Sequence, residues 1–402
     1  MTNPPVVALL LSALLAIPAV AEDVPREAIL AVLPFEPAHE PNRIQLDLAP
    51  PGARPFRMML DTGASFSVLT PLAARALGVS VRRTKEDPYV RATRIGRDLQ
   101  FYIDARSSDT GAKTGWEYGL LGGNFLEHYV VELDFANAHV RFLDPERFTV
   151  PEQPAGAGET VVPIRLGTRR PTLEVEIDGR PLRVLLDTGA PWGLLLSGAA
   201  ARKVGIDEAA LPEAGTFQTT LGPMSVRLHE IETLAIGGLR VGPAPVFVSP
   251  RGWYNLAGEA NDSVIGYDAL ANFLVRIDYP RKRVWLRQQR EAAALYGLPY
   301  EPMRASGAVV APTATPGVVH VIGVLPDSPA ARRGLRRGDA LLPARSEGER
   351  WTPTELLAAL RDGEPLRILR PEGDIDAILD LPGVEAASGT EPVGERAEPA
   401  GG

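Results

Sequence analysis

Apolar and polar positions divide the chain into zones of different texture. The first, Val6 to Val20 ("VVALLLSALLAIPAV"), is an uncharged apolar stretch running into Ala19-Val20-Ala21, a small-x-small sequence of the kind signal peptidase reads. It predicts an export signal over residues 1–21, although the preceding "MTNPP" has no basic residue; Pro18 and the short length disfavour a membrane anchor. From about residue 40 to 288, short apolar runs such as "FRMML" and "LRVLL" alternate with turn residues, and the 38 prolines and 39 glycines suit many short strands. After residue 300 the texture changes again. "TPTELLAALRDGEPLRILR" (Thr352 to Arg370) has apolar residues at helical spacing followed by a strand-like run, and the tail from Val384 is polar, rich in small residues and expected to be disordered.

Within the strand-rich zone one pattern is written twice. "RMMLDTGASFSVLT" (Arg57 to Thr70) returns 126 positions later as "RVLLDTGAPWGLLLS" (Arg183 to Ser197). With Asp61 laid over Asp187, "TRIGRDLQFYI" falls on "TTLGPMSVRLH" without a gap, so Gly96 and Gly222 share an offset of 35 and suit hairpin tips. Further on, "LLGGNFLEHYVVELDFANAHVRFL" (Leu120 to Leu143) matches "VIGYDALANFLVRIDYPRKRVWL" (Val264 to Leu286), with 12 positions from Gly122 to Asp134 and from Gly266 to Asp278. The second copy carries 18 extra residues between hairpin and block. The repeat implies two homologous lobes.

Asp61 and Asp187 each end an apolar strand, where an acid is costly unless something uses it. A third Asp-Thr-Gly at Asp109 has polar, glycine-rich flanks and reads as a loop turn. The net charge of −8 argues against nucleic acid as a partner. There is no cysteine, hence neither a disulfide nor a lipoprotein attachment site, and the five histidines (His39, His128, His139, His229, His320) lack metal-ligand spacing; no metal or other cofactor is implied.

The two copies of φ-φ-Asp-Thr-Gly-Ala, each followed by a φ-φ-Gly block ("LLG", "VIG"), resemble the aspartic peptidases, specifically the retropepsin-like kind in a fused single-chain form, over about residues 40 to 290. The resemblance implies an all-β bilobal fold with a cleft between the lobes and a protein or peptide substrate. It implies that Asp61 and Asp187 are the catalytic pair and that Gly63 and Gly189 offer backbone N–H groups to their carboxylates. Thr62 and Thr188 would cross-brace the two loops, and Gly122 and Gly266 would pass close beneath them, where a Cβ would clash. Two neighbouring carboxyls cannot both ionise easily, so one takes a proton from water while the other gives one to the scissile carbonyl. A single lobe brings one acid; a fused duplication supplies in a monomer what a symmetric dimer supplies with two chains.

The chain departs from the family's pattern at Ala64 and Ala190, where many acid-acting relatives carry Ser or Thr. Losing that hydroxyl should raise the dyad's pKa and gives an expected optimum of roughly pH 4 to 6. Pro191 stands where the first copy has Ser65 and should reshape the second loop. The hairpins around Gly96 and Gly222 are the candidates for a flap over the substrate. The alternative is a catalytically silent bilobal binding protein.

"GVVHVIGVLPDSPAARRGLRRGDALL" (Gly317 to Leu342) resembles the heart of a PDZ domain, through Ser328-Pro329-Ala330, Gly334-Leu335 and Gly338-Asp339. That resemblance implies a β fold with short helices that could take a peptide ligand beside a strand, but the expected Gly-φ-Gly-φ phrase is missing, leaving a structural appendage as the other reading. The chain thus divides into an export signal (1–21), an N-terminal extension (22–39), a first lobe (40–148), a linker (149–159), a second lobe (160–288), a linker (289–302), a PDZ-like unit (303–383) and a tail (384–402). Its expected location is periplasmic or secreted.

Overall fold

The computed structural model describes residues 24–35, 42–48, 56–70, 89–91, 102–104, 119–219, 222–250, 263–290, 293–295, 298–313, 317–343 and 351–370. The apolar N-terminal stretch, Gly96, the third Asp-Thr-Gly and the tail lie outside these residues. Strands dominate the described chain up to residue 290, as the short apolar runs predict, and the helices there are of one or two turns.

The apolar runs ahead of the two aspartates form the strands Phe56–Leu60 and Arg180–Leu186. Their last residues are buried on both faces, which fits strands that acquire a parallel neighbour on one side. Met59 and Leu60 run parallel to Leu120 and Leu121; Leu185 and Leu186 run parallel to Val264 and Ile265. The chain then leaves each aspartate loop and returns antiparallel on the far side of the same neighbour, through Val68–Leu69 in one case and Leu194–Ser197 in the other. Each φ-φ-Gly strand therefore lies between the strand that enters an aspartate loop and the strand that leaves it.

A six-stranded antiparallel sheet joins these two arrangements. Its order is Ile29–Pro34, His139–Leu143, Val130–Asp134, Phe273–Asp278, Arg283–Gln288 and Glu159–Pro163, three strands from each half. At its centre Val130–Asp134 pairs with Phe273–Asp278 in the register that sets Glu132 opposite Arg276. This sheet revises two divisions of the sequence. Residues 29–34, expected in an N-terminal extension, are an edge strand paired with His139–Leu143, and Glu159, placed in a linker, already pairs with Arg287. The 18-residue excess of the second half includes the small hairpin of Leu234–Ile236 and Leu239–Val241, which lies beside Arg170–Ile177.

The C-terminal residues form a four-stranded sheet of Ala308–Pro312, Val319–Val324, Ala340–Pro343 and Leu366–Leu369. The helix expected after Thr352 spans Pro353–Asp362, starting from a capping box of Thr352 and Glu355 and ending at Gly363 with φ 80°. A helix Tyr300–Ser306 packs against it, burying Tyr300 and Met303, so the boundary drawn at residue 303 falls inside an element of this unit.

Candidate active site

The site is built from the two loops that follow Phe56–Leu60 and Arg180–Leu186. Each aspartate amide is held by the neighbouring φ-φ-Gly strand: Asp61 N donates to Leu121 O at 3.0 Å and Asp187 N to Ile265 O at 2.9 Å. Thr62 and Thr188 are fully buried and lock the loops to each other. Thr62 N donates to Thr188 Oγ1 at 3.1 Å and Thr188 N to Thr62 Oγ1 at 3.0 Å. The same hydroxyls donate across the junction, Thr62 Oγ1 to Leu186 O and Thr188 Oγ1 to Leu60 O, each at 2.7 Å. Four buried backbone groups and two buried hydroxyls are thereby satisfied by one reciprocal arrangement.

This brace brings the acids together. Both aspartates are half-buried, and their carboxyls hydrogen-bond to one another. Gly189 lies against the Asp61 carboxyl, where a Cβ would come within 2.8 Å of Cγ, and Gly63 lies more tightly still against Asp187. Gly189 N donates to Asp187 Oδ1 at 2.8 Å. Gly122 and Gly266 sit beneath the loops: a Cβ on Gly122 would be 2.5 Å from Phe66 O, and one on Gly266 would be 2.6 Å from Ala190 O. Neither glycine has a positive φ, so what demands glycine here is close approach and not an unusual backbone conformation.

Burial first, then the charge of Asp187 and the hydrogen bond to it, hold the Asp61 carboxyl well above the ordinary value of 3.8. Burial also raises Asp187, opposed by hydrogen bonds from Gly189, Asp61 and Ala190 and by the Arg170 charge. Both carboxyls are thus held above their ordinary value, and two acids this close share one proton between them. Ala64 and Ala190 lack hydroxyls, yet their backbone N–H groups still favour the ionised forms.

With Pro191 in the second loop, one backbone pairing beside each acid is the same in both copies. Gly123 N donates to Ala64 O and Tyr267 N to Ala190 O, both at 2.8 Å. The loops differ in how the φ-φ-Gly amide is satisfied: Gly122 N donates to Ser67 Oγ at 3.0 Å, whereas Gly266 N donates to the Gly193 carbonyl at 2.8 Å. Gly222, a flap candidate, opens the strand Gly222–Ile231, which pairs with Glu213–Thr219; Gly96 lies outside the described residues.

Several residues near the site are not signalled by the repeat. The hairpin of Arg165–Gly167 and Arg170–Ile177 turns through Thr168 and Arg169, with φ of 48° and 69°, and reaches the first aspartate loop. Ser65 Oγ donates to Thr168 Oγ1 at 3.3 Å, and the Arg169 guanidinium pairs with Glu127 at 3.0 Å and lies 5.2 Å from the Phe66 ring centroid. Left-handed backbone at Thr and Arg has no sequence signature, so the sequence carries no mark of this contact. Glu132, Asp134 and His139 approach one another closely enough to be considered as metal ligands. Glu132 is instead taken on both oxygens by Arg141 and Arg276, which is the chemistry of a buried ion cluster.

Residues 173–269 match a family model described as aspartyl protease. Among solved structures, the chain resembles a retropepsin-like aspartic protease from Rickettsia conorii, at 20% identity and a TM-score of 0.28, over 35% of this chain and 97% of that one. It also resembles Basic 7S globulin from soybean, at 12% identity and a TM-score of 0.35, over 64% of this chain and 94% of the other. No curated protein matches the chain. In sequence, the segment that carries Asp187, Thr188, Gly189 and Gly266 is thus similar to aspartyl proteases.

Proposed function

We propose that the chain is an exported aspartic endopeptidase of two fused retropepsin-like lobes, hydrolysing peptide bonds with a water activated by Asp61 and Asp187. The observation that carries this reading is the reciprocal threonine brace, which holds two half-buried, mutually hydrogen-bonded carboxyls at one point. The ionised carboxyl of the pair takes the proton from the attacking water. The other carboxyl, which carries the shared proton, delivers it to the scissile carbonyl oxygen. Thr62 and Thr188 position the loops, Gly63 and Gly189 leave room for the carboxyls, and the Glu213–Thr219/Gly222–Ile231 hairpin covers bound substrate. The substrate is a protein or peptide, and the C-terminal unit is PDZ-like. In this reading the apolar stretch ahead of Glu22 serves as an export signal and the enzyme works in the periplasm or outside the cell.

The test is turnover on a mixed peptide library. Asp61→Asn and Asp187→Asn should each lower kcat by about 10³-fold or more, and the double variant should be scarcely worse, because the acids act as a unit. Asp109→Asn should cleave like the parent protein. Full activity in either dyad variant, or loss of activity on adding a chelator, would overturn the mechanism.

A further inference from the structure

The strand Glu213–Thr219 is the last in its sheet, and one of its edges has no sheet partner among the described residues. Edge strands are commonly bulged or covered, because their free N–H and C=O groups otherwise invite pairing. This one is both. Its register with Gly222–Ile231 shifts between Glu213 and Gly215, leaving Ala214 as the extra residue, and Gly215 takes φ 134°. The bulged Ala214 is buried, and what it meets is the C-terminal unit: a Cβ on Gly323 would lie 3.4 Å from Ala214 O. A Cβ on Gly215 would lie 3.1 Å from Ile322 O and from Arg337 Nε.

A second contact lies further along the same hairpin. Arg304 Nε donates to Glu230 Oε1 at 2.9 Å, and the Tyr300 hydroxyl hydrogen-bonds to the same carboxylate. Both come from the helix Tyr300–Ser306, whose Tyr300 and Met303 are buried where it packs on the helix Pro353–Asp362. The helix is thus fixed to the C-terminal unit on one side and to the hairpin on the other.

We propose that the C-terminal unit is a clamp on the Glu213–Thr219/Gly222–Ile231 hairpin, with Arg304, Tyr300 and Gly323 as positioning residues that set where the hairpin stands relative to the Asp187 loop. The hairpin strand Gly222–Ile231 pairs with Ala244–Ser249, which pairs with Leu194–Ser197, the strand leaving that loop. Three strands therefore connect the clamped edge to the acid. The consequence for substrate rests on the peptidase reading above; the clamp itself does not.

Amide hydrogen exchange on the full chain tests the clamp directly. Arg304→Glu and Glu230→Arg should each speed exchange over 213–231 by about threefold, the scale of a half-exposed ion pair, and the double charge swap should bring it most of the way back. Gly323→Val, whose branches would press on the Ala214 backbone, should give a larger increase in the same segment. On a quenched peptide substrate the single variants should raise KM severalfold and leave the pH dependence of kcat unchanged, since no group of the dyad is altered. Unchanged hairpin exchange in all three single variants, with the amides of 308–312 and 366–369 as protected as in the parent, would overturn the clamp. If Gly323→Val unfolds the C-terminal unit, the two charge variants decide the outcome by themselves. If the parent protein cleaves no peptide, the peptidase reading fails while the exchange result still decides the clamp.

Discussion

At the scale of single residues, the site's chemistry comes from what surrounds two ordinary aspartates. Asp61 sits where its ionised form is disfavoured, by burial and by Asp187, so the folded protein holds its proton more tightly than the unfolded chain does. The stability this contributes is fully present below the ordinary carboxylate value near 3.8 and is lost as pH rises through the raised value. Asp61→Asn cannot titrate and keeps nearly the same shape. Its melting temperature relative to the parent should therefore climb steadily from about pH 4 towards neutrality, as thermal unfolding at several pH values would show. A difference that stays flat with pH would mean that the carboxyl is not perturbed. The threonines play another part: their hydroxyls accept and donate at once, which neither valine nor alanine could do while leaving the buried amides satisfied.

At the scale of elements, the repeated unit is a strand into the loop, a strand out, and the φ-φ-Gly strand between them. Gly266 is the point of close approach in the second unit, so Gly266→Ala should drive a methyl group into the Trp192 and Ala190 carbonyls. A loss of about 3 kcal/mol is expected, read from the urea midpoint. This much was legible in the sequence, because both copies write Asp-Thr-Gly after an apolar strand and set the φ-φ-Gly block 12 positions ahead of a second aspartate. The strand Ile29–Pro34 was not. Its partner, His139–Leu143, lies more than a hundred residues away, and a short apolar run carries no mark of whether such a partner exists. The Thr168–Arg169 turn was hidden for a related reason, since residues without special backbone freedom adopt left-handed φ there under tertiary contact. The hairpin predicted at Gly222 exists as paired strands, but its contact with the C-terminal unit depends on a bulge that only the register reveals.

At the scale of the whole molecule, the two halves meet over one buried ion cluster. Glu132 is fully buried between Arg141 and Arg276, and the Arg276 guanidinium lies 4.4 Å from the Trp285 ring centroid and 5.3 Å from that of Phe148. Removing one partner of a buried pair leaves uncompensated charge. Glu132→Gln should therefore cost about 3–5 kcal/mol in chemical unfolding, far more than a change at the half-exposed Arg57–Asp47 pair.

The register at that junction also decides who can assemble with whom. Glu132 and Arg276 occupy facing positions on the two central strands. Two copies of the second half, joined in the same way, would bring Arg276 against Arg276 with no acid between them. Two copies of the first would oppose Glu132 to Glu132, each answered only by its own Arg141. Only the mixed union gives the acid two cations and gives Arg276 an anion, so the charges act as a code for unlike partners. If the two halves are produced as separate fragments and mixed, native mass spectrometry should find the heterodimer in preference to either homodimer. One exchange of sign at a facing pair of positions thus commits each half to the other within a single chain.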